Sequence, residues 1–241
     1  MVTDAVILMA GSGSRLRAGG GTLPKPLIAI AGRPIISYTL DALPEVGVTT
    51  LHVVVGCEGE TLLAGLGRLI PDSIVLHPIH NPDWRKQNGV SLLCAAPYLT
   101  APFLLLMGDH LFEASLLQAF VRQADPALLN LAIDRKIDQV FDLDDAMKVQ
   151  TGDGLIAGIG KSLERYDAID TGIFLCPPEL FRYLALAQQA GDCSLADGVR
   201  AMAAEGKARV IDIGDAWWQD VDDAGMLGEA KRRLTTPQSQ Q

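Results

Sequence analysis

Apolar segments of strand length recur along the chain and alternate with segments of helical periodicity. The strand-like segments lack polar alternation, and they span residues 5–9, 51–55, 73–76, 103–107, 129–133, 173–175 and 208–213. Strands that are apolar on both faces are typical of a parallel sheet covered by helices on both sides. The alternation therefore predicts an α/β fold, a single Rossmann-like three-layer α/β/α domain with a mainly parallel sheet.

Helices are predicted where apolar residues return every three or four positions. Pro34 can start a helix that buries Ile36, Leu40 and Leu43, and Gly47 follows its end. Further helices are predicted over residues 59–69, 90–98, 114–124, 178–190, 195–203 and 223–233. These helices would form the two outer layers of the domain.

Residues 134–160 depart from this alternation. Two short apolar segments, 147–150 and 155–158, flank Thr151-Gly152-Asp153-Gly154, a sequence typical of a hairpin turn. A small antiparallel hairpin insertion is expected here, standing over the carboxyl edge of the sheet. The chain is thus predicted to form one domain over residues 1–234, with about 134–160 as an inserted subdomain and 235–241 as a polar tail.

Composition and charge restrict the partners. The 241 residues are 49% hydrophobic and 20% charged, and 29 acidic against 20 basic residues give a net charge of −9. So acidic a surface repels a polyanion, which predicts no nucleic-acid partner. No apolar stretch has the length of a membrane span and no signal-peptide pattern opens the chain, so a cytoplasmic protein that is not membrane-embedded is expected. The apolar composition makes a homodimer a possible assembly.

Cysteine spacing argues against two further classes of site. The four cysteines lie far apart and form no C-x-x-C pair. Neither a zinc site nor a disulfide framework is therefore expected.

A glycine-rich basic loop follows the first predicted strand. It runs from Ala10 to Gly21 and leads into Leu23-Pro24-Lys25-Pro26-Leu27. Glycines leave backbone N–H groups accessible, as a triphosphate requires. A dinucleotide fingerprint would need glycine at Leu16, and a P-loop would need Ser or Thr at Pro26. A simple surface turn remains an alternative, but the cations in this loop of an acidic chain favour bound phosphate.

Two acidic clusters stand at predicted strand ends. The first is Gly108-Asp109-His110, directly after the fourth apolar segment, and the second is Asp220-Val221-Asp222-Asp223, just before a predicted helix. Either cluster alone is also typical of a helix cap. Strand-end carboxylates lie at the ligand-binding edge of such a sheet and suit Mg²⁺, so together with the basic loop they indicate a metal–nucleotide site.

Gly11-Ser12-Gly13-Ser14-Arg15-Leu16 with Pro24-Lys25-Pro26-Leu27 resembles the signature of the nucleoside-triphosphate transferases (nucleotidyltransferases), and the resemblance extends from Ala5 to about Leu234. Within that superfamily the chain is most similar to the CTP:inositol-1-phosphate cytidylyltransferases. The stretches that carry this second resemblance are Met107-Gly108-Asp109-His110, Asp144-Asp145-Ala146-Met147-Lys148-Val149, Ile159-Gly160-Lys161, Asp170-Thr171-Gly172 and Asp220-Val221-Asp222. The same subgroup borders on phosphocholine and phosphonate cytidylyltransferases.

The resemblance implies a role for each matching position. Asp109 and Asp222 would hold Mg²⁺ with Asp220 as a helper, and Arg15 and Lys25 would contact the triphosphate. Nucleotide-binding residues would be Ala10, Gly11, Ser12, Gly13, Asn88, Gly89 and Ser91. Acceptor-binding residues would be Lys148, Lys161, Asp170 and Thr171, which places the inserted subdomain on the acceptor side.

The chain departs from the family pattern in two places. Gly19-Gly20-Gly21 lengthens the loop before Leu23, and Asp223-Ala224-Gly225 stands where Thr-Pro-Glu is common. The first departure leaves open whether Arg17 reaches a phosphate. The second concerns only the start of the last helix.

The expected reaction is attack of a phosphate-monoester oxygen on the α-phosphorus of CTP, with release of pyrophosphate. Such a monoester is largely dianionic at neutral pH, so a general base is not required. The resemblance thus implies an Mg²⁺-dependent cytidylyltransferase that joins CTP and a polyol phosphate, with inositol 1-phosphate favoured. The alternatives are a sugar-1-phosphate nucleotidylyltransferase, a phosphocholine or phosphonate cytidylyltransferase, and, from another class, a non-catalytic nucleotide-sensing module.

Overall fold

A nine-stranded sheet forms the centre of the computed structural model, which describes residues 2–17 and 23–235. The strands of the described residues, nine of which form this sheet, are β1 (Asp4–Met9), β2 (Ala29–Ile30), β3 (Arg33–Pro34), β4 (Thr50–Val55), β5 (Val75–His80), β6 (Phe103–Met107), β7 (His110–Phe112), β8 (Leu129–Asp134), β9 (Lys148–Gly152), β10 (Leu155–Gly160), β11 (Ala168–Cys176), β12 (Ala208–Asp212) and β13 (Trp218–Asp220). The helices are α1 (Ser14–Arg17), α2 (Ile35–Ala42), α3 (Gly59–Leu66), α4 (Asn88–Leu93), α5 (Ala114–Gln123), α6 (Leu180–Ala187), α7 (Leu195–Ala204) and α8 (Ala224–Thr235). Gly19-Gly20-Gly21, the Arg17 side chain and residues 236–241 of the expected tail lie outside the description.

The central sheet has the strand order β5-β4-β1-β6-β11-β8-β12-β10-β9. The first four strands of this order are parallel, β8 and β12 are parallel to each other, and β11 lies antiparallel between β6 and β8. The mainly parallel sheet expected from the apolar segments is confirmed. Parallel pairing places the carboxyl ends of β1, β4 and β6 at one edge, which is where both the glycine loop and Asp109 begin.

Neighbouring residues of each strand pack on opposite faces of the sheet. Val6 of β1 belongs to a buried cluster that includes residues of α4, α6 and α7, whereas Ile7 belongs to one that includes residues of α2, α3 and α5. Both residues are fully buried. Each face is therefore covered by helices, and the three-layer α/β/α architecture is confirmed.

Two predicted elements lie elsewhere than expected. The strand expected at 73–76 is found at Val75–His80, and its later part escaped notice because Pro78 and two histidines make it polar. As the outermost strand β5 tolerates proline, because it pairs with β4 alone. The helix expected over 90–98 ends at Leu93, and Ala96–Tyr98 forms a separate 3₁₀ turn that contains Pro97.

The start of α2 follows the prediction. Pro34 stands at its N-cap, and Ile36 and Leu40 are buried. Gly47 has a φ of 87° and directly follows the 3₁₀ turn Pro44–Val46. Most other helices agree with their predicted ranges to within a few residues at each end.

The hairpin expected within 134–160 is present as β9 and β10. Asp153 and Gly154 form its turn, and their φ values of 52° and 76° match the left-handed geometry of a two-residue hairpin loop. The expected position over the sheet edge needs correction, because β9 pairs with β11 and β10 pairs with β12. The hairpin thus extends the central sheet and does not form a layer above it.

Candidate active site

The ammonium group of Lys25 stands at the centre of the site. Its nitrogen lies 2.6 Å from Oδ2 of Asp109 and also donates to Oδ1 of Asp222. Lys25 is 8% exposed, so both contacts are largely shielded from solvent. Gly13 makes this placement possible, because it has a φ of 59° and a Cβ there would lie 2.9 Å from Cβ of Lys25.

A small antiparallel ribbon brings the two carboxylates together. β7 begins just after Asp109 and pairs with β13, which ends two residues before Asp222. In addition, the Val221 N–H donates to the Asp109 carbonyl oxygen over 3.1 Å. The backbone, and not side-chain flexibility, therefore sets the separation of the carboxylates.

The opposite charges in the cluster favour the ionised forms of Lys25 and Asp109. Burial acts to lower the pKa of Lys25, but the Asp109 and Asp222 carboxylates outweigh it and the pKa is raised. Burial acts to raise the pKa of Asp109, but the Lys25 ammonium and His110 outweigh it and the pKa is lowered. The lysine is thus an ammonium and Asp109 a carboxylate at neutral pH.

A second set of ion pairs continues from Asp222. Arg15 lies 2.6 Å from Oδ2 of Asp222 through one guanidinium nitrogen and 2.9 Å from Oδ2 of Asp145 through the other. Asp145 also accepts a hydrogen bond from Lys161. Charged groups from the glycine loop, the region before β9 and the end of β10 are thereby connected to the central cluster.

Two cavities meet at this network. The first has a volume of about 260 Å³, and the residues of the loop and the ion cluster that line it include Gly11, Gly13, Arg15, Lys25, Asp109 and Asp222. The second has a volume of about 300 Å³, and its lining includes Asn88, His110, Asp145, Lys161, Asp170, Trp218 and Asp220. Both are also lined by Arg15, Asp109 and Asp222. These three are among the four residues for which the sequence predicts catalysis, and the fourth, Lys25, lines the first cavity alone.

A bulge in β11 shapes the second cavity. Asp170 pairs with Ile133, but the next paired residue is Phe174 opposite Leu131, so β11 holds extra residues around Gly172. The Asp170 carboxylate accepts from the Gly172 N–H over 2.7 Å. Burial nevertheless raises the pKa of Asp170 to about 6.

Thr171 faces away from the cavity. Its side chain is fully buried and its hydroxyl donates to the Ala132 carbonyl oxygen over 2.8 Å. Its own carbonyl oxygen lies 2.9 Å from Nδ1 of His110, which must donate because a carbonyl only accepts. Thr171 therefore orients His110, and the structure does not bring its hydroxyl to the predicted acceptor position.

Of the three predicted nucleotide-binding residues in α4, one lines a cavity and two do not. Asn88 lines the second cavity, and its Oδ1 accepts from the Leu195 N–H over 2.8 Å. Ser91 is buried and its hydroxyl accepts from Asn81 over 2.9 Å. A Cβ at Gly89 would lie 2.7 Å from the Cys193 carbonyl oxygen. In this structure Gly89 and Ser91 thus support the packing of α4 and do not line either cavity.

The remaining predicted residues lie at the margins. Ala10 is buried and its carbonyl oxygen accepts from the Cys57 N–H over 3.1 Å, whereas Ser12 is half-buried. The Lys148 ammonium donates to the Lys161 carbonyl oxygen over 2.9 Å and lies 5.6 Å from the centre of the Tyr166 ring. Lys148 therefore holds the backbone of Lys161 in place.

Asp145 has no counterpart among the predicted roles, whereas Asp220 is the predicted helper at the metal. Asp145 joins Arg15 to Lys161, although the Asp144-Asp145 pair within a family-like stretch was a signal for it. Asp220 lies opposite His110 in the ribbon, and burial raises its pKa, with Asp222 and Asp109 adding to the effect and His110 opposing it.

Within residues 2–17 and 23–235, no group of three or more His, Cys, Asp or Glu side chains has the arrangement of a metal site. Asp109 and Asp222 converge as a pair of carboxylates on the Lys25 ammonium. Among the described residues, no helix combines the length and the apolar character that crossing a membrane requires.

A mostly parallel α/β sheet with a glycine loop and paired carboxylates at its carboxyl edge defines a nucleotide-binding class of protein. Residues 5–139, more than half of the chain, match the family described as MobA-like NTP transferase domain. The chain belongs to this family.

Curated relatives extend the similarity to the whole chain. A "Bifunctional IPC transferase and DIPP synthase" of Aquifex aeolicus is 30% identical over 97% of the chain and 52% of its own length, and one of Thermococcus kodakarensis is 33% identical over 95% and 50%. A "CMP-5'-(3-aminopropyl)phosphonate synthase" of Streptomyces rubellomurinus is 33% identical over 98% of the chain and 40% of its length. The chain thus spans about half the length of the curated relatives it matches first.

A solved structure is similar to this chain over nearly its whole length. The inositol-1-phosphate CTP transferase from T. maritima superimposes with a TM-score of 0.86 at 25% sequence identity, over 97% of this chain and 95% of that one.

Proposed function

We propose that this chain transfers a cytidylyl group from CTP to a polyol phosphate, with inositol 1-phosphate as the preferred acceptor, and releases pyrophosphate. The observation that carries the proposal is the pair of cavities that meet at Asp109 and Asp222. The names of the bifunctional relatives and of the T. maritima structure support the choice of substrates.

The first cavity is the proposed triphosphate site. Gly11 and Gly13 leave backbone groups accessible there, and Arg15 and Lys25 supply positive charge. The second cavity is the proposed acceptor site, with Lys161 and Asp170 in its lining. Because Asp145 and Lys148 come from residues 134–160, we place that inserted segment on the acceptor side.

The proposed chemistry needs no general base. An oxygen of the acceptor's phosphate dianion forms a bond to the α-phosphorus of CTP, and the bond from that phosphorus to the bridging oxygen of pyrophosphate breaks. The obstacle is repulsion between anions, which is about 4 kcal/mol for two unit charges 4 Å apart at an effective dielectric constant near 20. Lys25, Arg15 and Lys161 offset this repulsion and hold the reacting groups in line.

The donor set at Asp109 and Asp222 fits Mg²⁺. Their carboxylates converge on one point, the Lys25 nitrogen, and Mg²⁺ is commonly held by one or two carboxylates together with substrate phosphates. Held by these carboxylates, Mg²⁺ would neutralise charge on the phosphate oxygens. Asp220 is a proposed helper from the neighbouring ribbon.

A pyrophosphate-release assay tests the proposal. Each of the four NTPs is paired with inositol 1-phosphate, glucose 1-phosphate, phosphocholine and 3-aminopropylphosphonate. We expect release with CTP and inositol 1-phosphate above every other pair. Preference for the phosphonate would favour the activity suggested by the Streptomyces relative, and release only with UTP or GTP and the hexose phosphate would contradict the proposed substrates. Binding of NTP without release from any pair would favour the nucleotide-sensing alternative. Cytoplasmic location and a homodimer stay predictions.

A further inference from the structure

The Asp145 carboxylate lies between two cations that come from distant parts of the chain. Its Oδ2 is 2.9 Å from a guanidinium nitrogen of Arg15, and its Oδ1 accepts from the Lys161 ammonium. Arg15 lines both cavities, whereas Lys161 lines the second. The carboxylate therefore occupies the point on which both cations converge, in the lining of the second cavity.

An anionic oxygen pair shared by a guanidinium and an ammonium is also the arrangement that a phosphate group makes. The hydrogen bond from Lys161 lowers the pKa of Asp145 more than its partial burial raises it, and Arg15 lowers it further. Asp145 is consequently an anion at neutral pH. Its contacts resemble those of a bound phosphate, although the carboxylate offers one charge and two oxygens where a phosphate dianion offers two charges and three oxygens.

The backbone around Asp145 differs from that around the two central carboxylates. Asp145 lies in a turn between the 3₁₀ turn Ile137–Gln139 and β9, and its N–H lies 3.4 Å from Oδ1 of Asp142. By contrast, the paired strands β7 and β13 fix the backbone beside Asp109 and Asp222. Moving Asp145 aside requires rearrangement of a turn, whereas moving Asp109 or Asp222 requires breaking a ribbon.

We propose that Asp145 is a positioning residue that stands in for the acceptor's phosphate: it keeps Arg15 and Lys161 directed toward one point and is displaced when the phosphate arrives there. This inference rests on the proposed function, since it needs a phosphate ester in the second cavity. The incoming dianion gains both cations, and the displaced carboxylate turns to solvent, where it is already 37% exposed.

Competition between carboxylate and phosphate has a measurable consequence. Asparagine has the shape of aspartate but no charge, so Asp145→Asn weakens the contacts that the phosphate must break. We expect inorganic phosphate to bind the variant roughly three- to tenfold more tightly, a range that loss of two competing, partly exposed ion pairs allows. The KM for inositol 1-phosphate should fall by a similar factor.

Isothermal titration calorimetry with inorganic phosphate, together with steady-state kinetics, tests the inference on the full chain. Asp144→Asn is the matched control, because it removes the same charge from an exposed position of the same turn. We expect Asp144→Asn to change phosphate affinity less than twofold. Asp145→Glu keeps the negative charge, so its phosphate affinity should be close to the wild-type value. In a Lys161→Met background, Asp145→Asn should raise the affinity for phosphate only slightly, which would locate the effect at the shared cations.

The possible results distinguish failure of the stand-in role from failure of the proposed function. Unchanged or weaker phosphate binding by a folded Asp145→Asn variant would overturn the stand-in role, even if the enzyme turns over CTP. An equal gain in Asp144→Asn would also overturn it, because general charge would then explain the effect. If the wild-type protein is folded but neither binds phosphate nor releases pyrophosphate, the proposed function fails and the stand-in role fails with it.

Discussion

The ammonium nitrogen of Lys25 lies 2.6 Å from Oδ2 of Asp109, although 84 positions separate the two residues in the sequence. The lysine is nearly fully buried, so its ammonium cannot be solvated as it would be on the surface. A buried charge that loses its partner is costly, which makes this pair more sensitive to substitution than an exposed one.

Lys25→Met should therefore reduce turnover strongly. The change removes the cation proposed to meet the triphosphate and leaves two carboxylates facing each other. We expect kcat to fall by about 10²–10³-fold, as for loss of other groups that stabilise transition-state charge. Arg33→Met is the control, because Arg33 pairs with Asp41 at a position where both side chains are about half exposed. Near-normal turnover in Lys25→Met would contradict the assigned role.

Asp109→Asn and Asp222→Asn should each abolish divalent-cation binding as well as turnover. Each substitution removes one of two convergent charged oxygen donors. Calorimetric titration with Mn²⁺ in the presence of CTP measures binding without reference to catalysis, and Asp41→Asn serves as the control. Asp220→Asn should have a smaller effect on cation affinity. Unaltered Mn²⁺ affinity in both principal variants would show that the metal binds elsewhere.

Asp170 should make folding stability depend on pH. Its pKa is raised to about 6 in the folded protein, against about 3.9 in an unfolded chain, chiefly by burial and despite the Gly172 N–H and nearby His110. The folded state then holds the proton more firmly, so this residue's contribution to stability falls as pH rises from about 4 to 6.

Asp170→Asn should remove that dependence, because asparagine keeps an acceptor for Gly172 but carries no charge. We expect the variant's free energy of unfolding at pH 8 to exceed that of the wild type by about 2–3 kcal/mol, and the difference to disappear below pH 4. Urea denaturation across this range measures it, with the exposed Asp72→Asn as control. Parallel stability profiles for Asp170→Asn and wild type would refute the expectation.

Gly172→Ala should be more harmful than Gly154→Ala. The two glycines have φ values of 75° and 76°, so alanine is similarly strained in both backbones. At Gly172 a Cβ would lie 2.3 Å from Nδ1 of His110, whereas nothing lies within 4 Å at Gly154. Strain of this kind costs about 1–3 kcal/mol, and only Gly172→Ala adds a clash to it.

Urea unfolding of both glycine variants, compared with acceptor KM, separates strain from displacement of His110. We expect the KM for inositol 1-phosphate to rise in Gly172→Ala alone, because the clash moves a residue of the second cavity. Equal losses of stability and unchanged KM in both variants would show that His110 is unimportant for the acceptor.

The sequence predicted the parts of the site that follow from strand ends and loop composition. Lys25, Asp109 and Asp222 were found because a glycine loop and two acidic clusters stand where a parallel sheet collects ligands. The bridge from Arg15 through Asp145 spans 130 positions and depends on an irregular turn, which no periodicity encodes. Likewise, burial of the Ser91 and Thr171 hydroxyls results from long-range packing and leaves no local signal.

The fold likewise divides into elements with a local sequence signal and elements that depend on long-range packing. Phe103–Met107 was predicted to the residue, since an apolar strand buried on both faces has a clear pattern. The outermost strand β5 was misplaced because a strand with one neighbour tolerates proline and polar residues. The hairpin was recognised from its turn, but its pairing with β11 and β12 is a property of the assembled sheet.

The ribbon of β7 and β13 also sets a time order during synthesis. Asp109 is synthesised before β8 to β13, so the first half of the Rossmann-like layer can assemble around β1, β4 and β6 without its second carboxylate. Until Trp218–Asp220 emerges and pairs with His110–Phe112, Lys25 has one anionic partner instead of two. A nascent chain can thus acquire its glycine loop long before it can acquire the paired carboxylates, which form only after the segment that carries Asp222 has emerged.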